Sequence, residues 1–391
     1  MKIAWIMNGC GLNKIGISGG EIRFSAISSR WINKGNNEQL IITTSGGIEL
    51  LKKVNLEDKL TKYILPASLF VKTEPFKAFR FYSYIISSIV SKIFLRKFPE
   101  VDVIIPVSDY FCDIIPAFFL KKKYPNAKLI VWIHHRYLPP KNRPGNKIVN
   151  WLMYTLQGWG FKKIMRYADE AWTYITDSGD LIDSELKQLG INVKKIHKMK
   201  CGMDIKDVPD ENITKKVDAV MIGVMPNKGM YDIIPVWKEV IKHRPGTTLK
   251  LMGRTHDAIY DIIDEAGLRN EISVFKPSSG YVDTVTFYKM IKEARIMFAP
   301  SKEEGWGIAV CEAMACGLPV VGYDLPVYKK IYGDNFIKIP IGDTMMFAES
   351  ICKVLDSKEE YDNNKEKGFK CAKQYDWDLV ADEDWEYING I

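Results

Sequence analysis

The sequence predicts two doubly wound α/β units in one chain, and three observations carry that prediction. Ten short apolar runs are nearly continuous instead of alternating, helix-length stretches separate them, and 391 residues exceed what one domain of ~150 residues uses. A strand that is apolar at every position is covered on both faces, the condition of a parallel sheet between two helical layers.

In chain order the first half supplies KIAWIM (2–7), QLIITT (39–44), VDVIIPV (101–107), KLIVWI (128–133) and EAWTYI (170–175). The second half supplies DAVMIG (218–223), TLKLMG (248–253), ISVF (272–275), RIMFAP (295–300) and LPVVGY (318–323). Each set suffices for one Rossmann-like sheet. Residues 1–8 carry one lysine and an apolar run too short for a signal-peptide core, so they read as a first buried strand. The polar, mixed-charge segment 204–218 is the expected linker between the units.

Hydrophobic residues make up 47% of the chain and charged residues 26%, which excludes disordered and fibrous classes. The cysteines are odd in number and widely spread, with no C-x-x-C pair, so neither a disulfide framework nor a zinc ribbon is expected and a reducing cytoplasm is the simplest home. The most apolar stretch, 81–95, is interrupted by serines and Lys92 and falls short of the ~18 apolar residues of a membrane span. Charge is uneven: residues 1–200 hold 31 Lys and Arg against 16 Asp and Glu, and residues 201–391 hold 24 against 32. A basic first half fits anionic lipid, nucleic acid or a phosphorylated acceptor, and charge alone does not choose.

Ligands of doubly wound sheets bind beyond the carboxyl ends of the strands, which singles out residues 8–21, 134–135, 223–229, 253–255 and 300–312. The most informative segment is 299–323. After the strand, the chain turns through Ser301 to Gly307 and then reads as a helix from Ile308 to Cys316, stopped by Gly317 with Pro319 beyond. The backbone N–H groups of Gly305, Trp306 and Gly307 would sit at a helix N-terminus, a site for an anion or for sugar hydroxyls. Glu304 stands at its mouth. Glu312 lies inside the helix among Ile308, Ala309, Val310, Ala313, Met314 and Ala315. A carboxylate there needs a partner: either a backbone N–H or Lys of its own unit, or a ribose diol.

The stretch from Pro300 to Val320 resembles the Glu-x7-Glu signature of retaining glycosyltransferases with the GT-B fold, in particular glycosyltransferase family 4. Pro300, Ser301, Glu304, Gly305, Gly307, Glu312, Ala313, Met314, Ala315, Gly317, Pro319 and Val320 match it, and Trp306 replaces the usual Phe. SGGEIR (18–23), FPEVDVIIP (98–106), CGMDIKDV (201–208) and YDWDLVADEDWEYI (375–388) are weaker matches, so the resemblance spans the chain. It implies a GT-B fold: an acceptor-binding domain over 1–205, a nucleotide-sugar-binding domain over 206–370 facing it across a cleft, and a terminal helix over 371–391 crossing back to the first. It also implies the reaction, transfer of a sugar from a nucleotide diphosphate sugar to a glycan, lipid-linked or small-molecule acceptor with retention.

By the same resemblance Glu304 contacts the donor sugar and Glu312 its ribose, while the Gly19 and Gly20 amides approach the diphosphate. A histidine near the transferred sugar is implied too, and strand phase favours His134 over His135. The phosphate clamp departs from the pattern: this chain reads Gly223-Val-Met-Pro-Asn-Lys228-Gly229, one residue short and without the usual Arg. Lys228 survives, and Arg254 is the candidate substitute, its other reading being a solvated loop arginine. No metal is expected, because the only Asp-x-Asp triplets, Asp376 with Asp378 and Asp382 with Asp384, lie in the terminal helical region. No other cofactor and no nucleic acid are expected.

Two basic, aromatic stretches, 76–98 and 141–169, have the composition of interfacial membrane helices. For the first, an ordinary covering helix packed on the core is the favoured reading. Peripheral contact with anionic lipid at the inner membrane face is the other. Two rival functions are a GT-B epimerase and a catalytically silent GT-B scaffold, the latter encouraged by the missing Arg. A nicotinamide dehydrogenase is disfavoured, since no G-x-G-x-x-G follows the first strand.

Overall fold

The computed structural model describes residues 1–10, 19–65, 77–134, 136–137, 139–143, 147–188, 195–277 and 282–390, with side chains from 84 onward in the helix that starts at 77. The chain divides into two compact units, Met1–Met199 with Ala381–Ile391, and Lys200–Val380. The expected boundaries after 205 and 370 therefore fall at 199 and 380. The reason is packing. The chain leaves the first unit as its last strand ends at Met199, and residues 371–380 stay with the second unit, where Cys371, Ala372, Tyr375 and Trp377 are buried.

The first unit holds a parallel sheet built from β1 (Lys2–Met7), β2 (Glu38–Thr43), β3 (Thr61–Ile64), β4 (Val103–Pro106), β5 (Lys128–Ile133), β6 (Glu170–Tyr174) and β7 (Lys195–Met199), in the order β3-β2-β1-β4-β5-β6-β7. Its helices are α1 (Gly19–Trp31), α2 (Ser45–Lys53), α3 (Lys77–Phe94), α4 (Phe111–Lys123), α5 (Lys147–Ile164) and α6 (Asp177–Gln188). In the second unit β8 (Val217–Val224), β9 (Leu249–Thr255), β10 (Ile272–Val274), β11 (Ala294–Ala299), β12 (Val320–Tyr323) and β13 (Ile337–Ile339) form a parallel sheet in the order β10-β9-β8-β11-β12-β13. Around it lie α7 (Ile233–His243), α8 (Ala258–Ala266), α9 (Thr284–Lys292), α10 (Ile308–Ala315), α11 (Pro326–Ile331), α12 (Thr344–Asp356) and α13 (Lys358–Ala372), and α14 (Trp377–Asn389) runs on into the first unit. The strand order reverses between β1 and β4 and again between β8 and β11, so each unit has a switch point, the place where doubly wound sheets bind their ligands.

Each of the ten apolar runs is a strand. β3, β7 and β13 add to them, all at sheet edges, where a strand needs no continuous apolar run. The two faces of the first sheet are covered differently. Ala4, Ile6, Leu129, Val131 and Ile133 meet α4 and α5 through residues such as Ala117, Phe161 and Ile164. On the other face Trp5 and Trp132 stand edge to face with ring centroids 5.4 Å apart, and Trp31 of α1 packs on both Trp5 and Trp385.

The chain's return is fastened at that aromatic face. Fully buried Arg23 pairs with the carboxylate of Asp384 and lies 4.1 Å over the Trp132 ring, while Tyr387 stacks on His197 at 3.9 Å. Asp382 pairs with Lys34. Both members of the second Asp-x-Asp triplet are thus engaged within the first unit, and Asp378 of the other pairs with Lys206 at 3.3 Å.

α3 packs on α4 as a covering helix does, but not by its most apolar face. On α3 the serines face inward and the isoleucines outward: Ser87, Ser88 and Ser91 are buried, whereas Ile86, Ile89 and Ile93 are 54, 57 and 61% exposed. The Ser88 hydroxyl donates to the Tyr84 carbonyl at 2.7 Å, and Ser91 donates to the Ser88 carbonyl at 2.6 Å. Ser88 and Ser91 thus satisfy themselves on their own helix, and the small side chains of this face let α3 lie close to α4.

Replacing Asp384 by Ala removes the carboxylate from a guanidinium that stays buried, and should cost the first unit about 3–5 kcal/mol. Urea unfolding followed by tryptophan fluorescence reads this directly; a midpoint equal to that of the parent chain would refute the fastening role.

Candidate functional site

In the second unit the site is assembled by the loops that follow β8 and β11, the two strands flanking the switch point. After β8 a short turn, Pro226–Lys228, ends at Gly229, whose φ of +79° is left-handed. A Cβ on Gly229 would lie 1.9 Å from the Pro300 carbonyl oxygen, so only glycine lets the two loops touch here. The Asn227 carbonyl accepts the backbone N–H groups of Lys302 at 2.9 Å and Glu303 at 3.2 Å. These contacts hold Lys228 against Glu304, and their side chains form an ion pair. Met221, Pro300, Ser301 and Ala309 join Lys228 and Glu304 around a pocket at this point.

The second loop enters α10 through Gly307, with φ +89° and no capping side chain. The first amides of α10 are left without an intrahelical acceptor, as at any helix start. Gly307 itself is framed by tyrosines: a Cβ there would lie 2.6 Å from Cε1 of Tyr328, and the Tyr332 hydroxyl donates to the Gly307 carbonyl at 2.9 Å. Trp306 turns its side chain inward, buried edge to face against Tyr375 with centroids 5.4 Å apart, so it borders the loop through its backbone. The helix ends as expected, with Gly317 at φ +74° and its N–H on the Met314 carbonyl at 3.0 Å.

Glu312 projects from α10 toward Asp204 and Tyr288. Burial pushes its carboxyl up to about 8, and the Asp204 carboxylate adds to the rise. Among the described residues nothing donates a hydrogen bond to it, so neither the backbone N–H nor the Lys of its own unit that one sequence reading allowed is in place. A half-buried carboxyl held without donors is one that a pair of ligand hydroxyls would satisfy. Arg254 stands half-buried near the end of β9, after a bulge that places Gly253 against Gly223, on the strand next to the Lys228 loop.

Lys302 and Asp232 are additions that the sequence reading did not single out. Lys302 Nζ donates to Asp232 Oδ1 at 2.8 Å and the Tyr323 hydroxyl donates to Asp232 Oδ2 at 2.8 Å, which braces the two loops from behind. The cue was available: a lysine and an aspartate each follow a strand flanking the switch point.

In the first unit Gly19 and Gly20 are the first residues of α1, not a loop before it. Gly20 packs on His134; a Cβ on Gly20 would meet its Nε2 at 2.9 Å. His134 has both ring nitrogens engaged. The Val107 carbonyl, 2.7 Å away, can only accept, so Nε2 carries the proton and Nδ1 accepts from the Tyr174 hydroxyl at 2.7 Å. Burial lowers its pKa to about 4, with the Arg23 charge adding to the fall, so the ring is neutral near pH 7. His135 and residues 11–18 lie outside the described residues. Among the described residues no group of His, Cys, Asp and Glu is arranged to hold a metal.

The architecture is that of the GT-B glycosyltransferases. A sucrose-phosphate synthase from Thermosynechococcus elongatus superposes with a TM-score of 0.76 at 15% identity, covering 100% of this chain and 98% of the other. Anabaena HepE in complex with UDP and glucose gives 0.70 at 15% identity over 100% of both chains. Residues 204–370, which contain every site residue of the second unit, match the family Glycosyl transferases group 1. Among curated relatives, a phosphatidyl-myo-inositol mannosyltransferase of Mycobacterium leprae is 26% identical over 164 residues, 40% of this chain and 42% of the relative. A GDP-mannose:cellobiosyl-diphosphopolyprenol alpha-mannosyltransferase of Xanthomonas oryzae is 22% identical over 163 residues, again 40% and 42%. The chain thus spans about two fifths of the length of the curated relatives it matches.

Two predictions follow from the geometry. Gly307→Ala forces an alanine into a left-handed conformation against Tyr328 and should destabilise the second unit by about 1–3 kcal/mol, read as a lower melting temperature. Glu312 is protonated more readily folded than unfolded, so its contribution is fully present below about pH 4.5 and is lost as pH rises through about 8. Glu312→Gln should therefore stabilise the unliganded chain increasingly across that window. Melting curves of the two proteins that stay parallel with pH would contradict the burial of this carboxyl.

Proposed function

We propose that this protein is a retaining, metal-independent glycosyltransferase that moves a hexose from a nucleotide diphosphate sugar to a hydroxyl of a glycan, lipid-linked or small-molecule acceptor. The observation that carries the reading is the Lys228–Glu304 pair, set where the uncapped start of α10 borders the switch point of the second sheet. Cleaving the sugar–phosphate bond leaves charge on the departing diphosphate, and an ammonium plus backbone N–H groups already in position stabilise it without reorganisation. Lys228 supplies the ammonium. When the diphosphate takes it over, Glu304 is released to accept hydroxyls of the sugar, and Glu312 receives the ribose diol.

The Gly19 and Gly20 amides belong to the diphosphate end of this scheme and neutral His134 to the transferred sugar, roles implied by resemblance. A neutral imidazole with both nitrogens committed positions a substrate and does not take its proton. Arg254, on the neighbouring strand end, is the cation nominated to complete the clamp. Retention follows the family pattern of front-face attack assisted by the leaving phosphate. Mannosyl transfer is named in several of the relatives' descriptions, which makes GDP-mannose the first donor to try. A cytoplasmic location with peripheral contact at an anionic membrane belongs to the same reading; among the described residues no helix is long and apolar enough to cross one.

Thermal shift with GDP, UDP and ADP, followed by turnover of the matching sugar donor, tests it. Glu304→Gln and Lys228→Ala should each lower turnover by roughly 10²–10³-fold with melting temperature little changed. Unchanged turnover in Glu304→Gln would overturn the assignment, as would an epimer formed from the donor alone, and a chain that neither binds nor consumes any nucleotide sugar is the silent scaffold. Turnover should also survive EDTA; its complete loss, restored by magnesium, would contradict charge stabilisation by Lys228 and the α10 amides.

A further inference from the structure

We propose that the outer face of α3 and α5 docks the first unit on an anionic lipid bilayer. The inference deepens the membrane contact included in the proposed function by naming its surface. α3 and α5 both pack against α4, and Tyr84, Phe111, Cys112 and Leu156 join the three helices in one small cluster, so they form a single layer. Both outer helices turn apolar residues outward. On α3 these are Ile86, Ile89 and Ile93 with Phe94, spaced as one stripe. On α5 they are Ile148, Trp151, Tyr154 and Trp159, all more than two fifths exposed.

The charge on α3 and α5 has one sign. Between Glu74 and Glu100, and again between Asp113 and Asp169, the chain contains no acidic residue. Lys92, Arg96 and Lys97 are exposed at the end of α3, and Lys162 and Lys163 at the end of α5, where Lys163 lies 4.9 Å over the Trp159 ring. Isoleucines that enter an acyl layer, tryptophan and tyrosine at headgroup depth, and long basic side chains reaching phosphate are the complement of an anionic lipid surface. A second copy of the chain fits poorly, because the same face would set lysine against lysine.

The serines of α3 give the pattern its direction. With Ser87, Ser88 and Ser91 buried, the helix has used its small residues to pack against α4 and left its large ones outside. Such a helix needs an apolar medium on its outer side.

Flotation of the full chain with vesicles tests the surface without reference to sugar transfer, so its failure leaves the transferase reading standing and the donor assays judge that separately. The parent chain should float with vesicles of equal parts phosphatidylglycerol and phosphatidylcholine at low salt, and not with pure phosphatidylcholine. Ile89→Glu combined with Ile93→Glu should lower the bound fraction about tenfold or more with an unchanged melting temperature, since both positions are exposed. Lys92→Gln with Arg96→Gln and Lys97→Gln should weaken binding and flatten its salt dependence. No flotation on phosphatidylglycerol, or equal flotation of the isoleucine variant, would overturn the proposal. So would a dimer on gel filtration that the isoleucine variant abolishes, which would give the face to a second copy.

Discussion

Two loops of the second unit meet because the Asn227 carbonyl takes two N–H groups from the chain after β11, and the candidate site depends on that clasp. β8 and β11 are neighbours in the sheet, so their carboxyl ends open at one place, but adjacency alone would leave two independent loops. The shared carbonyl and the contact of Gly229 with Pro300 fix them to each other, and Lys302, Asp232 and Tyr323 brace them from below. Lys228 and Glu304 are half-buried, so their pair contributes little to stability. Its value in the proposed function is positional: an ammonium and a carboxylate stand side by side, where a ligand carrying both a diphosphate and hydroxyls would draw them apart.

Glu312 shows the opposite economy. It occupies a helix whose other inward positions are apolar, has an acidic neighbour in Asp204, and takes no donor from the described residues. A glutamine or leucine would serve the fold better. A group that weakens the unliganded unit and is placed one helix turn beyond a helix N-terminus fits the ribose contact of the proposed function, since local cost of this kind is a usual mark of a working site.

How much of this was legible in the sequence depends on how local the cause is. Strands buried on both faces announce themselves, and all ten runs are strands; β3, β7 and β13 have partners on one side only, so their composition is held to a weaker rule and carries no clear mark. Gly307, Gly317 and the span of α10 were legible because they follow from chain stereochemistry. Pairing of Lys228 with Glu304 was not, since they are far apart in sequence and meet only once the sheet order is known. The second domain's end was misplaced for the same reason: the burial of Tyr375 against Trp306 keeps residues 371–380 with the second unit, and nothing near Tyr375 in the sequence states it.

α3 marks the limit of periodicity as a guide. Ser87, Ser88 and Ser91 lie on one stripe at helical spacing and Ile86, Ile89 and Ile93 on another, so the pattern defines two faces without saying which is inside. Hydrophobicity points to the isoleucines, since burying each would gain about 1.5–3 kcal/mol. Closeness decides otherwise. α4 presents the Cys112 carbonyl and the Phe111 ring to α3, and only small side chains let the helix approach them, with Ser88 also hydrogen-bonding Asn8 at 3.1 Å. The apolar burial forgone here is what the proposed lipid contact would recover on the outer side of the helix.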